Sequence, residues 1–172
     1  MTVTIRALTP DEAASHVDDL AEVLADCVAG GAGVGFILPF SLTDARMWWQ
    51  GQMPAVASGE RIIIAALDGN RLVGTVSLVP ATPLNQQHRA DISKMLVHSA
   101  ARKQGLGAAL LREAERIAGE RHRSLLTLDT VTGSAAERLY TSLGWQTTGS
   151  IPNYALSPRG TFDSTTVMWK AL

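Results

Sequence analysis

The segment from Asp91 to Gly107, DISKMLVHSAARKQGLG, constrains the fold of this chain more than any other stretch. Its apolar run from Ile92 to Val97 predicts a strand, and the amphipathic pattern that follows Gly107 predicts a helix. Between them lies Arg-x-x-Gly-x-Gly, residues 102–107. The first amides of a helix have no intrahelical acceptor, and glycines let a ligand approach the backbone, so this arrangement suits phosphate binding. It favours an enzyme with a phosphorylated cofactor over a plain globular domain.

Composition narrows the classes of partner. The 172 residues carry a net charge of -1 without a basic run, so we expect neither nucleic acid nor an anionic membrane as a partner. The length predicts a single domain, residues 1–172. The only cysteine, Cys27, falls in an apolar helical pattern and predicts a small buried side chain in a reducing cytoplasm. We expect no signal peptide, no membrane span and no metal site.

Apolar periodicity and turn residues predict the element order β-α-α-β-β-β-α-β-α-β-β, which is typical of the α+β class. The run at 61–67 is apolar on both faces, as a central strand should be. A loop containing Pro152 and Pro158 is expected between the last two strands. The predicted strands are 3–8, 61–67, 71–79, 90–97, 124–129, 144–149 and 165–170, and the predicted helices are 10–28, 41–57, 104–120 and 133–142.

Two motifs and this order together resemble one family. The strand Met-Leu-Val leads into Arg-Lys-Gln-Gly-Leu-Gly, and residues 136–145 read AERLYTSLGW. These features are similar to the GCN5-related N-acetyltransferases (GNAT) over essentially the whole chain. The resemblance implies a single-domain fold with a central mixed, mostly antiparallel sheet, a splayed strand pair and helices on both faces. Residues 31–36 and 128–134 look closest to the tabtoxin resistance proteins within that family, which does not establish the same substrate.

The resemblance implies acetyl-CoA as cosubstrate and assigns its contacts. Backbone amides of the glycine turn would hold the pyrophosphate, the preceding strand would pair with the pantetheine arm, and the Val97 amide would polarise the acetyl carbonyl. Many members have an asparagine where this chain has Gly133, so a backbone amide or the Ser134 hydroxyl would replace it, unless Ser134 is only a helix cap. The implied cofactor residues are Met95, Leu96, Val97, Arg102, Lys103, Gln104, Gly105, Leu106, Gly107, Ala108 and Ser134.

Three side chains are candidates for proton transfer. Tyr140 would protonate the departing sulfur as a general acid, although a packed helix tyrosine would give the same pattern. Asp129, at the end of the LLTLD strand, and Asp91, at the start of the cofactor strand, compete as the base for the substrate ammonium, directly or through water. Each could instead be a strand-end acid that faces solvent. Of Trp48 and Trp49, at least one is expected in the core and the other against an acceptor pocket or a dimer interface.

These residues predict direct acetyl transfer in a ternary complex to the amine of a small molecule, such as an amino acid-like toxin or antibiotic. A peptide N-terminus remains open as the acceptor, and the chain is expected to be a monomer or a homodimer. The alternative is a non-catalytic acyl-CoA-binding or sensing module on the same fold, which would not need Tyr140 or a carboxylate.

Overall fold

The computed structural model describes residues 3–172, which form one seven-stranded sheet and five helices. The strands are β1 (Val3–Ala7), β2 (Ile62–Asp68), β3 (Arg71–Pro80), β4 (Arg89–Val97), β5 (Leu125–Val131), β6 (Gln146–Leu156) and β7 (Phe162–Ala171). The helices are α1 (Pro10–Ser15), α2 (Val17–Ala29), α3 (Leu42–Ser58), α4 (Leu106–Glu120) and α5 (Ala135–Ser142).

The strands lie in the order β1-β2-β3-β4-β5-β7-β6. Every neighbouring pair is antiparallel except β4 and β5, which run parallel through the α4 crossover. Consecutive strands β1 to β4 thus form one half of the sheet, and the helical crossover starts the other half. The predicted α+β class, with a mixed and mostly antiparallel sheet, is confirmed.

Both faces of the sheet are covered. Ile62 and Ile64 of β2 pack into a core with α4, whereas Ile63 and Ala65 pack into a second core with α1, α2 and α3. All four side chains are buried because the alternation of a strand sends neighbours to opposite, equally apolar faces. Within residues 3–172, no helix combines the length and the apolar character that a membrane crossing requires.

Local sequence sets most helix ends. The hydroxyl of Thr9 accepts a hydrogen bond from the amide of Glu12, whose carboxylate accepts one from the Thr9 amide, and this reciprocal cap begins α1. Ser41 and Asp44 begin α3 in the same way. The single predicted helix 10–28 is wrong in one respect. His16, with ψ of 14°, interrupts it, and its ring contacts the Asp19 carboxylate at 2.9 Å, a local interaction that apolar spacing does not encode.

The final hairpin is longer than the sequence predicts. β6 continues to Leu156 and includes Pro152, which was expected in a loop. Proline is tolerated here because β6 is an edge strand, and the pairing with β7 shifts register between Ile151 and Ala155. The hairpin therefore extends beyond the sheet core, and its turn lies beside the loop after α2, where the Leu38 amide donates to the Pro158 carbonyl at 2.8 Å.

Candidate active site

The sheet opens between β4 and β5. The two parallel strands pair over only three positions, the last being Asp91 opposite Thr127, although β4 continues to Val97 and β5 to Val131. The gap beyond that pair is a cleft of about 1290 Å³. All of the predicted site residues line this cleft except Gln104 and Ala108, so residues from β4, the glycine turn, β5 and α5 meet in one place.

A bulge turns the backbone of β4 beside the cleft. Two β4 residues, Lys94 and Met95, face only Val76 of β3, and Lys94 has a φ of 52°. Downstream, the His98 amide donates to Val73 of β3 at 2.9 Å. Because neighbouring residues of a strand direct their amides to opposite edges, the N–H of Val97 points away from β3 and toward the cleft.

The turn before α4 presents a row of unpaired amides. The first α4 bond runs from Ala109 to the Gly105 carbonyl, and the amides of residues 103–108 have no acceptor within residues 3–172. Gly105 is the N-cap, with a φ of +76° that only glycine adopts without strain. These amides and the positive end of the α4 dipole make a site for an anion.

Gly107 lies at a close approach between two helices. A Cβ atom built there would lie 2.9 Å from Cδ2 of Leu139 on α5, which is nearer than van der Waals contact. The first turn of α4 therefore lies directly against α5, and the glycine turn and the Tyr140 helix are held on the same side of the cleft.

Arg102 turns away from the glycine amides. Its Nε donates to the Val97 carbonyl at 3.1 Å, and its Nη2 lies 3.8 Å from the Asp26 carboxylate of α2. Cys27, which is 3% exposed, also donates its thiol to the Val97 carbonyl, and burial raises the pKa of that thiol. Cys27 is the small buried side chain that the sequence predicts. Arg102 and Cys27 thus hold the end of β4 in place, because both donate hydrogen bonds to the Val97 carbonyl, which is not paired with a neighbouring strand.

Asp91 lies at the closed end of the cleft. Its Oδ1 accepts hydrogen bonds from the Arg89 guanidinium and from the Thr127 hydroxyl, and Arg89 also donates to Thr127 at 2.8 Å. The Asp91 carboxylate thus links β4 to β5 at the last position where the two strands pair. Arg89 and Thr127 both donate to its Oδ1, so that oxygen is already engaged within the protein.

Asp129 and Tyr140 lie where the strands have separated. Asp129 is exposed to the cleft and accepts a hydrogen bond from Thr165 on β7 at 3.0 Å. Tyr140 is 6% exposed, and its ring packs against Trp145 with 5.7 Å between centroids. Burial, with a smaller contribution from the Asp129 charge, raises the pKa of Tyr140 well above its usual value near 10. The phenol therefore keeps its proton at neutral pH.

The N-terminal cap of α5 bears on which group could replace the asparagine that many family members have at the position of Gly133. Ser134 is the N-cap, and its hydroxyl accepts from the Glu137 amide at 3.1 Å. The Gly133 amide donates to the Glu137 carboxylate, so this amide is already engaged within the protein. The Ser134 hydroxyl also lies 3.4 Å from the Thr130 hydroxyl, and its proton is available to a ligand when Thr130 is the donor of that pair.

Sequence reasoning missed two cations of the cleft. Lys94 Nζ lies 5.0 Å from the ring centroid of Trp48 and 5.6 Å from that of Phe36, and the Arg61 guanidinium lies 5.7 Å from Trp48. Trp49, by contrast, is fully buried, as expected for one of the two tryptophans. A charged residue in an apolar strand pattern was the available signal at Lys94, but its neighbours come from distant segments.

The cleft fits a long, phosphorylated thioester. Its unpaired amides at the glycine turn suit a diphosphate, and the unpaired edge of β4 suits an extended amide-bearing arm. The Val97 amide and the Tyr140 phenol lie beyond that turn along the same cleft, where the reactive end of such a molecule would reach.

Comparisons with known proteins agree with this geometry. Residues 32–145 match the model of the acetyltransferase (GNAT) family. The fold is similar to a ribosomal-protein-alanine N-acetyltransferase from Brucella melitensis, with 24% identity, a TM-score of 0.74 and coverage of 98% of this chain and 99% of that one. An acetyltransferase of the GNAT family from Streptococcus pneumoniae is 22% identical with a TM-score of 0.75, and the match covers 99% of this chain and 100% of that one. A phosphinothricin acetyltransferase from Sinorhizobium meliloti, solved with acetyl-CoA, is 18% identical with a TM-score of 0.78, and the match covers 100% of this chain and 89% of that one.

The family match spans about two thirds of the chain and includes the glycine turn, the strand fork and the Tyr140 helix. These are the parts that form the cleft, so sequence and geometry lead to the same conclusion. The chain belongs to the GNAT family and is an acetyltransferase with acetyl-CoA as its acetyl donor.

Proposed function

We propose that this chain is a cytoplasmic N-acetyltransferase that transfers the acetyl group directly to the amine of a small, amino acid-like molecule. The observation that carries the proposal is the cleft shared by the glycine turn, whose amides are unpaired, and by Val97, Asp129 and Tyr140. The phosphinothricin acetyltransferase among the similar structures, and the likeness of two segments to tabtoxin resistance proteins, both support this class of acceptor.

The donor side of the proposal uses the main chain. The amides of residues 103–108 bind the diphosphate, and the free edge of β4 at Met95 and Val97 pairs with the pantetheine arm, whereas the main chain of Leu96 faces β3. Acetyl-CoA supplies a thioester whose carbonyl carbon accepts the amine and whose sulfur departs. The Val97 amide, directed into the cleft, stabilises negative charge on the carbonyl oxygen, and one well-aimed donor of this kind contributes about 3–4 kcal/mol.

Tyr140 supplies the proton for the departing sulfur in this proposal. Its raised pKa keeps Oη protonated before the reaction, and no hydrogen bond within residues 3–172 commits that proton elsewhere. General acid catalysis of this kind contributes roughly 10²–10⁴-fold.

Asp129 receives the substrate ammonium. Its carboxylate is exposed to the cleft, and Thr165 donates to only one of its oxygens, Oδ2. It can therefore hold the ammonium and take its proton, directly or through one water. Asp91 is the weaker candidate because the donors Arg89 and Thr127 already hold it at the closed end of the cleft.

A thiol-release assay with acetyl-CoA and a panel of small amines tests this proposal. Tyr140→Phe should lower kcat by about 10²-fold or more while acetyl-CoA still binds, because only the proton donor is lost. Tyr154→Phe is the comparison variant, since it removes the other phenol of the chain, which also lines the cleft but is exposed on the edge strand β6. Measurable acetyl-CoA binding without turnover of any amine would instead support the sensing module.

A peptide acceptor is distinguished in the same assay. The similarity to a ribosomal-protein-alanine N-acetyltransferase makes alanine-initiated peptides the appropriate comparison. A kcat/KM for such peptides above that of every small amine would replace the small-molecule proposal with peptide N-terminal acetylation.

A further inference from the structure

Two cations face the cleft without a counterion. Lys94, on the β4 bulge, and Arg61, just before β2, both line the cleft and are half-buried. Both contact the ring of Trp48, and Lys94 also contacts Phe36. Within residues 3–172, neither cation forms a salt bridge or a side-chain hydrogen bond.

This arrangement is costly in the free protein. Like charges that share one aromatic ring repel each other, and partial burial removes much of the water that would screen them. Burial, then the Arg61 charge, lowers the pKa of Lys94, and burial lowers that of Arg61. Nη1 of Arg61 has neither solvent contact nor an acceptor. An aromatic face offsets only part of such a cost, so the site lacks an anion.

The phosphates of the cofactor are not that anion. Lys94 precedes Val97 by three residues, about 10 Å along a strand, whereas the glycine turn follows Val97. The two cations and the phosphate site thus lie on opposite sides of the position proposed for the thioester. Asp129, the acid that acts on Lys94 through space, is left to the substrate ammonium.

We propose that Lys94 and Arg61 form an anion subsite that binds the carboxylate, or another acidic group, of the acceptor, with the Trp48 and Phe36 rings as its apolar wall. This inference rests on the proposed function and adds to it. An acceptor held by Asp129 at its ammonium and by Lys94 and Arg61 at its acidic group is zwitterionic. Amines that carry no acidic group leave the subsite unoccupied.

Matched acceptors test the subsite. Each pair consists of an amino acid and its carboxamide, with kcat/KM corrected to the fraction of free amine at the assay pH. The wild-type enzyme should prefer the carboxylate by about tenfold or more, since hydrogen bonds to charged groups are strong. Lys94→Met and Arg61→Met should each reduce that ratio about tenfold, whereas Lys94→Arg should restore most of it. Arg112→Met, an exposed cation of α4, is the control.

Binding without turnover gives an independent readout. Titration with an N-acetylated amino acid should change tryptophan fluorescence, because Trp48 contacts both cations, and its N-acetylated carboxamide should bind about tenfold more weakly. Equal binding of the two, or an unchanged ratio in both methionine variants, overturns the subsite even if amines are acetylated. If no amine is acetylated, the proposed function fails, while a preference for the carboxylate in the titration still supports the subsite.

Discussion

Tyr140 and Asp129 are coupled by charge across the cleft. A phenol that is 6% exposed loses most of the hydration that would stabilise its anion, and the Asp129 carboxylate disfavours that anion further. In the proposed mechanism, the same carboxylate attracts the ammonium of the acceptor. An ammonium bound there would offset the Asp129 charge, so the proposal predicts that Tyr140 is a stronger acid when an acceptor is bound.

Asp129→Asn should lower the pKa of Tyr140. The substitution keeps the shape of the side chain and removes the negative charge that raises this pKa, while burial continues to act. Ultraviolet titration of the tyrosinate band measures the change, with Tyr140→Phe identifying the band. Asp68→Asn, at the end of β2, is the control for a lost charge elsewhere. An unchanged or higher pKa in Asp129→Asn would contradict this coupling.

Alkaline stability should also depend on Tyr140. The pKa in the folded protein lies above the value near 10 of the unfolded chain, so above about pH 10 the unfolded state releases this proton first. The stabilising contribution is present below that pH and is lost as the pH rises toward the folded pKa. Urea midpoints of the wild type should therefore fall more steeply above about pH 10 than those of Tyr140→Phe. Parallel slopes would argue against a buried, protonated phenol.

The sequence predicts which residues of a recognisable motif line the cleft. It does not predict which residues from distant segments meet there. Tyr140 and Asp129 follow recognisable strand and helix signals, and both line the cleft. The sequence places Lys94 only within a strand, because Arg61 and Trp48, which explain its environment, precede it by more than thirty residues.

Among the elements, the packing of α4 on α5 controls the glycine turn. The Cβ atom of Gly107→Ala would meet the terminal methyl of Leu139 at 2.9 Å, so the Leu139 side chain, or the two helices with it, must shift. We expect a cost of about 1–3 kcal/mol in the free energy of unfolding, together with weaker acetyl-CoA binding, because the shifted amides no longer align. Chemical denaturation and calorimetric titration measure the two effects.

The same helix offers a matched control. Gly119 of α4 has open space where the Cβ atom of an alanine would lie, so Gly119→Ala should stabilise the protein by about 0.5–1 kcal/mol. Adding Leu139→Ala to Gly107→Ala removes the overlap, so the double variant should bind acetyl-CoA better than Gly107→Ala alone. No recovery in the double variant would show that the overlap is not the cause.

Elements with strong local signals were predicted best. Capping residues and apolar stripes place α3, α4 and the strands β2 to β5 within two residues of their observed bounds. The break at His16 and the extension of β6 through Pro152 were not predicted, because the first depends on a single side-chain contact and the second on an edge position that only the complete sheet defines.

In the whole molecule, the cleft exposes backbone amides that have no hydrogen-bond acceptor within residues 3–172. Amide hydrogen exchange should be fast at residues 103–108 in the free protein, since these amides have no acceptor within residues 3–172. Acetyl-CoA should protect them, and at about a hundredfold excess over Kd it should add about 2.7 kcal/mol to the stability. Fast exchange at these amides in the presence of bound acetyl-CoA would overturn the assigned phosphate site.

The strand fork itself was predicted only through family resemblance. Apolar patterns indicate that β4 and β5 exist, but they do not indicate that pairing stops after Asp91 and Thr127. The β4 bulge at Lys94 follows that stop, and such a bulge is a property of the assembled sheet.

The bond between Leu38 and Pro158 has a consequence for how acceptor choice can change. It joins the loop after α2 to the β6–β7 turn, two segments far apart in the chain, and residues 30–35 of that loop and residues 154–156 and 163–165 next to that turn line the cleft. In the proposed mechanism, the glycine turn recognises the donor through main-chain groups, whereas the acceptor wall is made of exchangeable side chains. An engineer could retarget the enzyme by rewriting those two loops and leave its acetyl source untouched.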